Sequence, residues 1–352
     1  MKDWRTTLLR RLGVVLIAAG LAAVSLALLL PGGDERGAAL VVPLPPAPTI
    51  DPSLDTAASS AFAPADAERE AMEARLTAEH LAAARAEEAP EPSAQGPAES
   101  IALTPGTRRW ERLAVPVRVI PGMPMLAIVL DDMGLERGRA ERAIALTPPL
   151  TLAFLPYGRE APALARQARA RGHEILLHMP MQPVGGEDAG PGALTVDLAP
   201  ADIRARVGGA LERFEFAIGL NNHMGSRFTA DRRLIGVVMD ELAQRGLAFV
   251  DSRTIGATQG LPAARAGGVA AVARDVFLDN DPSVEGVRRQ LDEAERIARR
   301  QGAAVAIGHP YEGTIAALAA WIEEAPSRGL QLVPVSAVLR WSDARATLAA
   351  AR

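Results

Sequence analysis

The residues best suited to chemistry in this chain are aspartates and histidines that directly follow short apolar runs. Asp131 and Asp132 follow Ile-Val-Leu, and His178 closes Ile-Leu-Leu. Asn221, Asn222 and His223 follow Ile-Gly-Leu, Asp251 follows Phe-Val, Asp279 follows Phe-Leu, and His309 follows Ala-Ile-Gly. Asp132, His178 and His223 together offer one carboxylate and two imidazoles. That donor set suits Zn2+ or a similar borderline cation and leaves coordination positions open for water and substrate. Such an ion acidifies bound water and polarises a carbonyl oxygen. Asp131 is then available as a general base, and His309 as the acid that protonates a leaving group. The expected chemistry is metal-assisted hydrolysis, whose simplest form is acyl transfer to water.

Singly, each residue has a blander reading. Asp131 suits a helix cap, since aspartate accepts hydrogen bonds from first-turn amides. His178 alone reads as a satisfied buried histidine, His223 as a loop residue bonded to backbone, and His309 as a strand cap. Their recurrence sets them apart: several independent runs deliver Asp or His to the same end. His173 precedes its apolar run and is read as structural, and His80 lies far from the others in a proline-flanked segment.

The elements that must position these residues are legible from about Gly122 onward. Apolar runs at Leu126–Leu130, Leu150–Leu155, Glu174–Met179, Phe216–Leu220, Leu247–Val250, Asp275–Leu278, Ala304–Ile307 and Leu330–Val335 read as strands. Helix-like stretches near 136–147, 160–171, 200–213, 230–245, 283–301 and 313–327 separate most of them. Gly172, Gly246, Gly302 and Gly329 stand where helices would end, as the left-handed cap position favours. Continuous apolar strands alternating with helices indicate a parallel sheet covered by helices. Roughly seven or eight such units point to a closed or partly closed barrel, in which strand C-terminal ends share one functional face. No Gly-x-Gly-x-x-Gly turn follows the first strand, which counts against dinucleotide binding.

The rest of the chain is differently built. Residues Leu12–Leu30 form an uncharged apolar run long enough to cross a bilayer, preceded by Lys2, Arg5, Arg10 and Arg11. The positive-inside rule places the N-terminus in the cytoplasm and the remainder in the periplasm of a bacterial inner-membrane protein. A cleaved signal peptide is the competitor, but its apolar region is usually shorter. Prolines crowd residues 43–52 and 90–105, so 31–121 reads as an extended, disordered linker. Between them, Ala65–Glu88 reads as a solvated helix, with a partner-binding helix as the alternative. A formal net charge of −4, from 38 basic and 42 acidic residues, gives no case for nucleic acid. The absence of cysteine excludes disulfides, thiolate metal sites and cysteine nucleophiles.

Several segments resemble the NodB-type polysaccharide deacetylases. Ile128–Gly134 (IVLDDMG) is similar to that family's Asp-Asp-Gly motif. Gly172–Pro183 (GHEILLHMPMQP) is similar to its Gly-His-Glu-Ile…His-x-x-x-His-Pro segment, and Ala306–Tyr311 (AIGHPY) to its late histidine motif. With NNHMGSRF at 221–228 and FVDSRT at 249–254, the pattern resembles the divergent polysaccharide deacetylases more closely, over about Pro124 to Leu339. The resemblance implies a deformed parallel (β/α) barrel of about seven strands and removal of acetyl groups from N-acetylated sugars. It makes Asp131 the base, Asp132 and His178 metal ligands, and His309 the acid. The family's second histidine falls on Gln182, a poor zinc ligand, and His223 is inferred to replace it. Arg227 or Arg253 would orient Asp131. Asn222 and Asp251 join them as substrate-binding or orienting candidates, and Tyr157 and Tyr311 as sugar-stacking ones, with a half-buried rim aromatic as the alternative.

The expected organisation is therefore a cytoplasmic N-terminus (1–11), a transmembrane signal anchor (12–30), a linker (31–121), an α/β barrel (122–345) and a short tail (346–352). The expected function is metal-dependent hydrolysis of N-acetyl groups on a cell-envelope polysaccharide or amino sugar, with zinc the first choice of divalent metal. The alternative is a non-catalytic envelope protein binding glycan or a partner through the same rim, a reading that rests on Gln182. An aspartate-nucleophile phosphatase is disfavoured because Met133, not a second Asp, stands two residues after Asp131.

Overall fold

The computed structural model describes residues 108–350. The expected anchor at 12–30 and nearly all of the expected linker lie outside the described residues. Among the described residues, no helix is long and apolar enough to cross a membrane.

The chain alternates strands and helices. A short helix α1 (Arg109–Leu113) is followed by β1 (Met125–Met133), α2 (Arg137–Ile144), β2 (Thr151–Phe154), α3 (Ala161–Ala170) and β3 (Glu174–Met181). Next come α4 (Pro200–Glu212), β4 (Ala217–Met224), α5 (Ser226–Ala230), α6 (Arg232–Arg245) and β5 (Ala248–Asp251). The last third holds α7 (Gly260–Gly267), β6 (Ala271–Ala273), β7 (Val276–Phe277), α8 (Val284–Gln301), β8 (Ala303–Gly308), α9 (Glu312–Glu324), β9 (Gln331–Leu332) and α10 (Val335–Ala350). All the pairings between strands are parallel. Eight strands follow one another in the order β6-β5-β4-β3-β2-β1-β8-β7, and β9 pairs with the start of β1. The end strands β6 and β7 do not pair with each other, so the sheet is a curled half-barrel.

Two apolar layers hold it. Leu126, Ile128, Leu130, Leu152, Phe154, Ile175 and Leu177 point outward and pack under the surrounding helices. Ala127, Val129, Ala153, Leu176, Ile218, Val250, Val305 and Ile307 fill the concave side. Period-two alternation in each strand produces the two layers.

The domain begins earlier than the proline-rich pattern implies. α1 falls within the expected linker, yet Trp110 is fully buried in the concave layer with Val335, Ala337, Val338 and Leu339 of α10. Arg108 and Arg340 lie over its ring at 5.1 and 5.6 Å. Glu174, at the inner start of β3, accepts hydrogen bonds from Val115 N at 3.1 Å and Ser336 N at 2.9 Å. One buried carboxylate thus fastens the chain after α1 and the first turn of α10 to the base of the barrel. His173 beside it is structural as expected: its ring bonds Leu150 N and Ile144 O.

Other differences have local causes. The expected strand Leu330–Val335 shrinks to Gln331–Leu332, because Pro334 cannot donate to a ladder and α10 starts immediately after it. Strand β6 is only Ala-Val-Ala, too short and small to signal itself. Helix α7 was hidden by Gly260 and Pro262, which read as loop residues.

Candidate metal centre at the strand ends

Two irregularities in the sheet aim the polar side chains. From Leu130 to Met133, β1 advances three residues while β2 advances two, Leu152 to Phe154. The extra residue falls in the Asp131–Asp132 pair, and Asp132 takes a left-handed φ of 55°. Such bulges re-aim side chains, so two adjacent carboxylates both reach the inner rim. On β4 the advance from Ala217 to Leu220 matches only Ile175 to Leu177 on β3. Gly219 sits in this second bulge, where a Cβ would lie 2.0 Å from the Ala248 carbonyl oxygen. Ile218 faces inward and Leu220 outward. Asn221 and His223 consequently face the rim, and Asn222 faces away. Met224 and Arg253, at the ends of β4 and β5, also adopt left-handed φ values of 48° and 50°. Strain of this kind concentrates at functional sites.

Asp132, His178 and His223 converge, all three buried. Asp132 Oδ1 is 3.3 Å from His178 Nε2 and 3.0 Å from His223 Nδ1, and the two nitrogens are 3.2 Å apart. Three donors held about 2.0–2.2 Å from one ion would be separated by roughly 3 Å, so the triangle has the size a divalent cation requires. Asp132 Oδ1 is buried and, among the described residues, has no hydrogen-bond partner beyond these two ring nitrogens. The proton arrangement agrees. Asn221 Nδ2 donates to Asp131 Oδ1 at 2.8 Å, so its Oδ1 faces His178 Nδ1 at 2.9 Å. His178 Nδ1 must then carry a proton, so Nε2 is the ring nitrogen that faces Asp132 and can give its lone pair to a metal ion. A ring nitrogen and a carboxylate oxygen facing each other in a buried site need positive charge between them, which either a ring proton or a metal ion supplies.

The electrostatics separate the two aspartates. Burial pushes the Asp131 carboxyl up, only partly offset by His178, His309 and the Asn221 amide. Burial acts on Asp132 as well, but His223 and His178 override it and hold that carboxyl well below its ordinary value. His309 lies across the site, its Nε2 at 3.9 Å from Asp132 Oδ2. Its Nδ1 is 3.1 Å from Asp279 Oδ1, and Asp279 Oδ2 accepts from His309 N and from Thr314 Oγ1. Tyr311 stacks on the His309 ring at 5.3 Å.

The structure therefore gathers Asp131, Asp132, His178, His223 and His309, with Tyr157 and Tyr311 nearby on the rim. It places other candidates elsewhere. Asn222 crosslinks β4 to β5, donating to Met224 O at 2.8 Å and accepting from Ser252 N at 2.9 Å. Asp251 faces outward, where its carboxylate accepts from Arg253 N and Thr258 Oγ1, both at 2.9 Å. Arg227 and Arg253 have exposed side chains, and the hydrogen bond to Asp131 comes from Asn221 instead. Gln182 anchors the loop after β3: its Oε1 accepts from Val196 N at 2.8 Å, and its carbonyl accepts from Arg227 N and Phe228 N. Sequence reasoning gave no role to Asn221 or Asp279. Both follow apolar runs, which was signal enough to notice them, but nothing in the sequence shows which neighbour each would face.

Comparison with known proteins gives a consistent picture. A family model described as divergent polysaccharide deacetylase matches residues 128–339. The chain is 39% identical over 208 residues to an uncharacterized protein of Haemophilus influenzae, covering 59% of this chain and 74% of that one. It is 35% identical over 214 residues to the uncharacterized protein YibQ of Escherichia coli, covering 61% and 67% of the respective chains. Among solved structures it is similar to the uncharacterized protein ATU2773 from Agrobacterium tumefaciens C58, at 32% identity and a TM-score of 0.64, covering 66% of this chain and 96% of that one.

Proposed function

The chain belongs to the divergent polysaccharide deacetylase family, and from that premise we propose that it is a metal-dependent hydrolase removing N-acetyl groups from an envelope glycan or amino sugar. The observation that carries this reading is the buried Asp132–His178–His223 triangle, flanked by one carboxyl and one imidazole that it does not use. Asp132, His178 and His223 would hold the divalent ion, zinc being the best match to two imidazoles and one carboxylate. That ion would supply Lewis acidity, polarising the acetyl oxygen and acidifying the attacking water.

Asp131 takes the proton from the water as its oxygen bonds to the acetyl carbon. Asn221 fixes the orientation of Asp131 and, through its other end, the tautomer of His178. His309, held by Asp279 at Nδ1, gives a proton from Nε2 to the nitrogen as the carbon–nitrogen bond breaks. The products are acetate and a free amine. The non-catalytic reading rested on Gln182. That side chain is engaged in anchoring the loop after β3, and His223 stands in the triangle, so the departure no longer argues against turnover. The same proposal places the domain in the periplasm, tethered to the inner membrane through residues 12–30 and the linker.

The test compares metal content and acetate release of the purified protein with those of a His178→Ala/His223→Ala variant. We expect one tightly bound divalent ion in the parent, none in the variant, and acetate release from N-acetylated oligosaccharides that chelator abolishes and added zinc restores. A metal-loaded parent protein inert on every N-acetylated glycan offered would return the non-catalytic binding protein to first place.

A further inference from the structure

Tyr157 is the rim residue whose chemistry the reading above leaves unused. Leu155 N donates to Met133 O at 3.0 Å. Gly158 approaches the same segment so closely that a Cβ there would lie 2.4 Å from the Gly134 carbonyl oxygen. These contacts hold the turn after β2 against the residues that directly follow Asp132, and Tyr157 is carried between them. The loop after β3 covers the ring at Gly190, where a Cβ would come within 2.8 Å of the ring and 2.9 Å of the phenol oxygen. Only glycine leaves room for the phenol at that point.

The hydroxyl so enclosed is buried and finds no hydrogen-bond partner among the described residues. Burial first, then the charges of Asp132 and Asp188, push its pKa above the usual tyrosine range, so it remains a neutral O–H donor. Buried phenols normally find an acceptor, and leaving such a group unsatisfied destabilises the fold. A donor left without an acceptor, on a turn packed against the residues that follow Asp132, matches the way acyl-transfer sites are preorganised for developing negative charge.

We propose that Tyr157 is a further catalytic residue, whose hydroxyl donates a hydrogen bond to the oxygen of the acyl group under attack. The inference rests on the hydrolase reading of the same site. The proton stays on the phenol throughout; the hydrogen bond strengthens as the acyl oxygen gains charge. This role is distinct from stacking on a sugar, because it requires the oxygen of Tyr157 and not its ring.

Tyr157→Phe in the full chain separates the two, with acetate as the probe of the acyl-oxygen position. Binding is measured by calorimetry on zinc-loaded protein and thermal stability on zinc-free protein. The variant should bind zinc like the parent and melt at the same or a higher temperature, since it loses an unsatisfied group. It should bind acetate about tenfold more weakly, and any deacetylation should fall by about 10²–10³ in kcat with KM little changed. Equal acetate affinity in the two proteins, no acetate binding by either, or a lower melting temperature with unchanged acetate binding would overturn the assignment. Acetate binding that depends on Tyr157 in a protein that deacetylates nothing would defeat the hydrolase reading while leaving the hydrogen bond in place.

Discussion

Asn221 shows how much of the site depends on one neutral side chain. It donates to Asp131, faces His178 Nδ1 with its oxygen, and lies 3.2 Å from Ser252 Oγ, fully buried. The residues around it were legible in the sequence because a charged group after an apolar strand is conspicuous. The choice between Asn221 and Asn222 was not legible, because it depends on a bulge at Gly219 that shifts the alternation by one residue. Two substitutions should divide the labour. Asp131→Asn removes the proposed base but none of the proposed metal ligands, so metal content should persist while hydrolysis falls to background. Asn221→Ala leaves both acid–base groups in place but frees the His178 ring, and loss of such an outer partner typically costs about 10–100-fold in metal affinity or activity. Metal titration and acetate release measure both; an Asn221→Ala protein equal to the parent in each would remove Asn221 from the machinery.

At the scale of elements, β3 ties the two ends of the barrel together. Its inner face reads Glu174, Leu176, His178: a clamp at the base, a core residue in the middle and a candidate metal ligand at the rim. The apolar run predicted the strand and His178 its functional end. Glu174 stood in the same quoted segment without a role, because its partners, Val115 and Ser336, lie on elements that no local pattern connects to it. Burial raises the Glu174 carboxyl, outweighing the amides of Ser336 and Val115 that bond it. A raised folded pKa means that its contribution to stability is complete below the ordinary glutamate range and falls as pH rises through the raised value. Glu174→Gln cannot titrate and loses one acceptor. The stability difference between parent and Glu174→Gln should therefore be greatest at acid pH and shrink as pH rises, with a midpoint above the ordinary glutamate range. Denaturant melts of the two proteins across the acid range give that difference directly. One that grows as pH rises would show that ionised Glu174 is the better clamp.

At the largest scale, the described residues form a half-barrel whose concave side is closed at the base by α1 and α10 and carries its polar chemistry at the opposite rim. Alternating strands and helices made the parallel α/β architecture predictable, since every long strand announces itself as an apolar run. Its boundaries were not predictable, because α1 is five residues long and sits among charged residues after a proline-rich stretch. Its one fully buried residue, Trp110, matters for where it packs rather than for any pattern. Removing α1 should uncover the concave core, and truncating a buried tryptophan to alanine alone typically costs about 3–5 kcal/mol. It would also leave Glu174 without the Val115 amide. A fragment beginning at Arg108 should therefore fold and bind metal like the full chain. One beginning at Gly122, where the sequence pattern first turns regular, should melt at a clearly lower temperature or aggregate on expression. Full-length Trp110→Ala separates the plug from the mere length of chain, and should reproduce most of that loss while leaving Asp132, His178 and His223 untouched. Equal melting temperatures for the two fragments would show that the base of the barrel is held by α10 alone, and that residues before Gly122 belong to the tether after all.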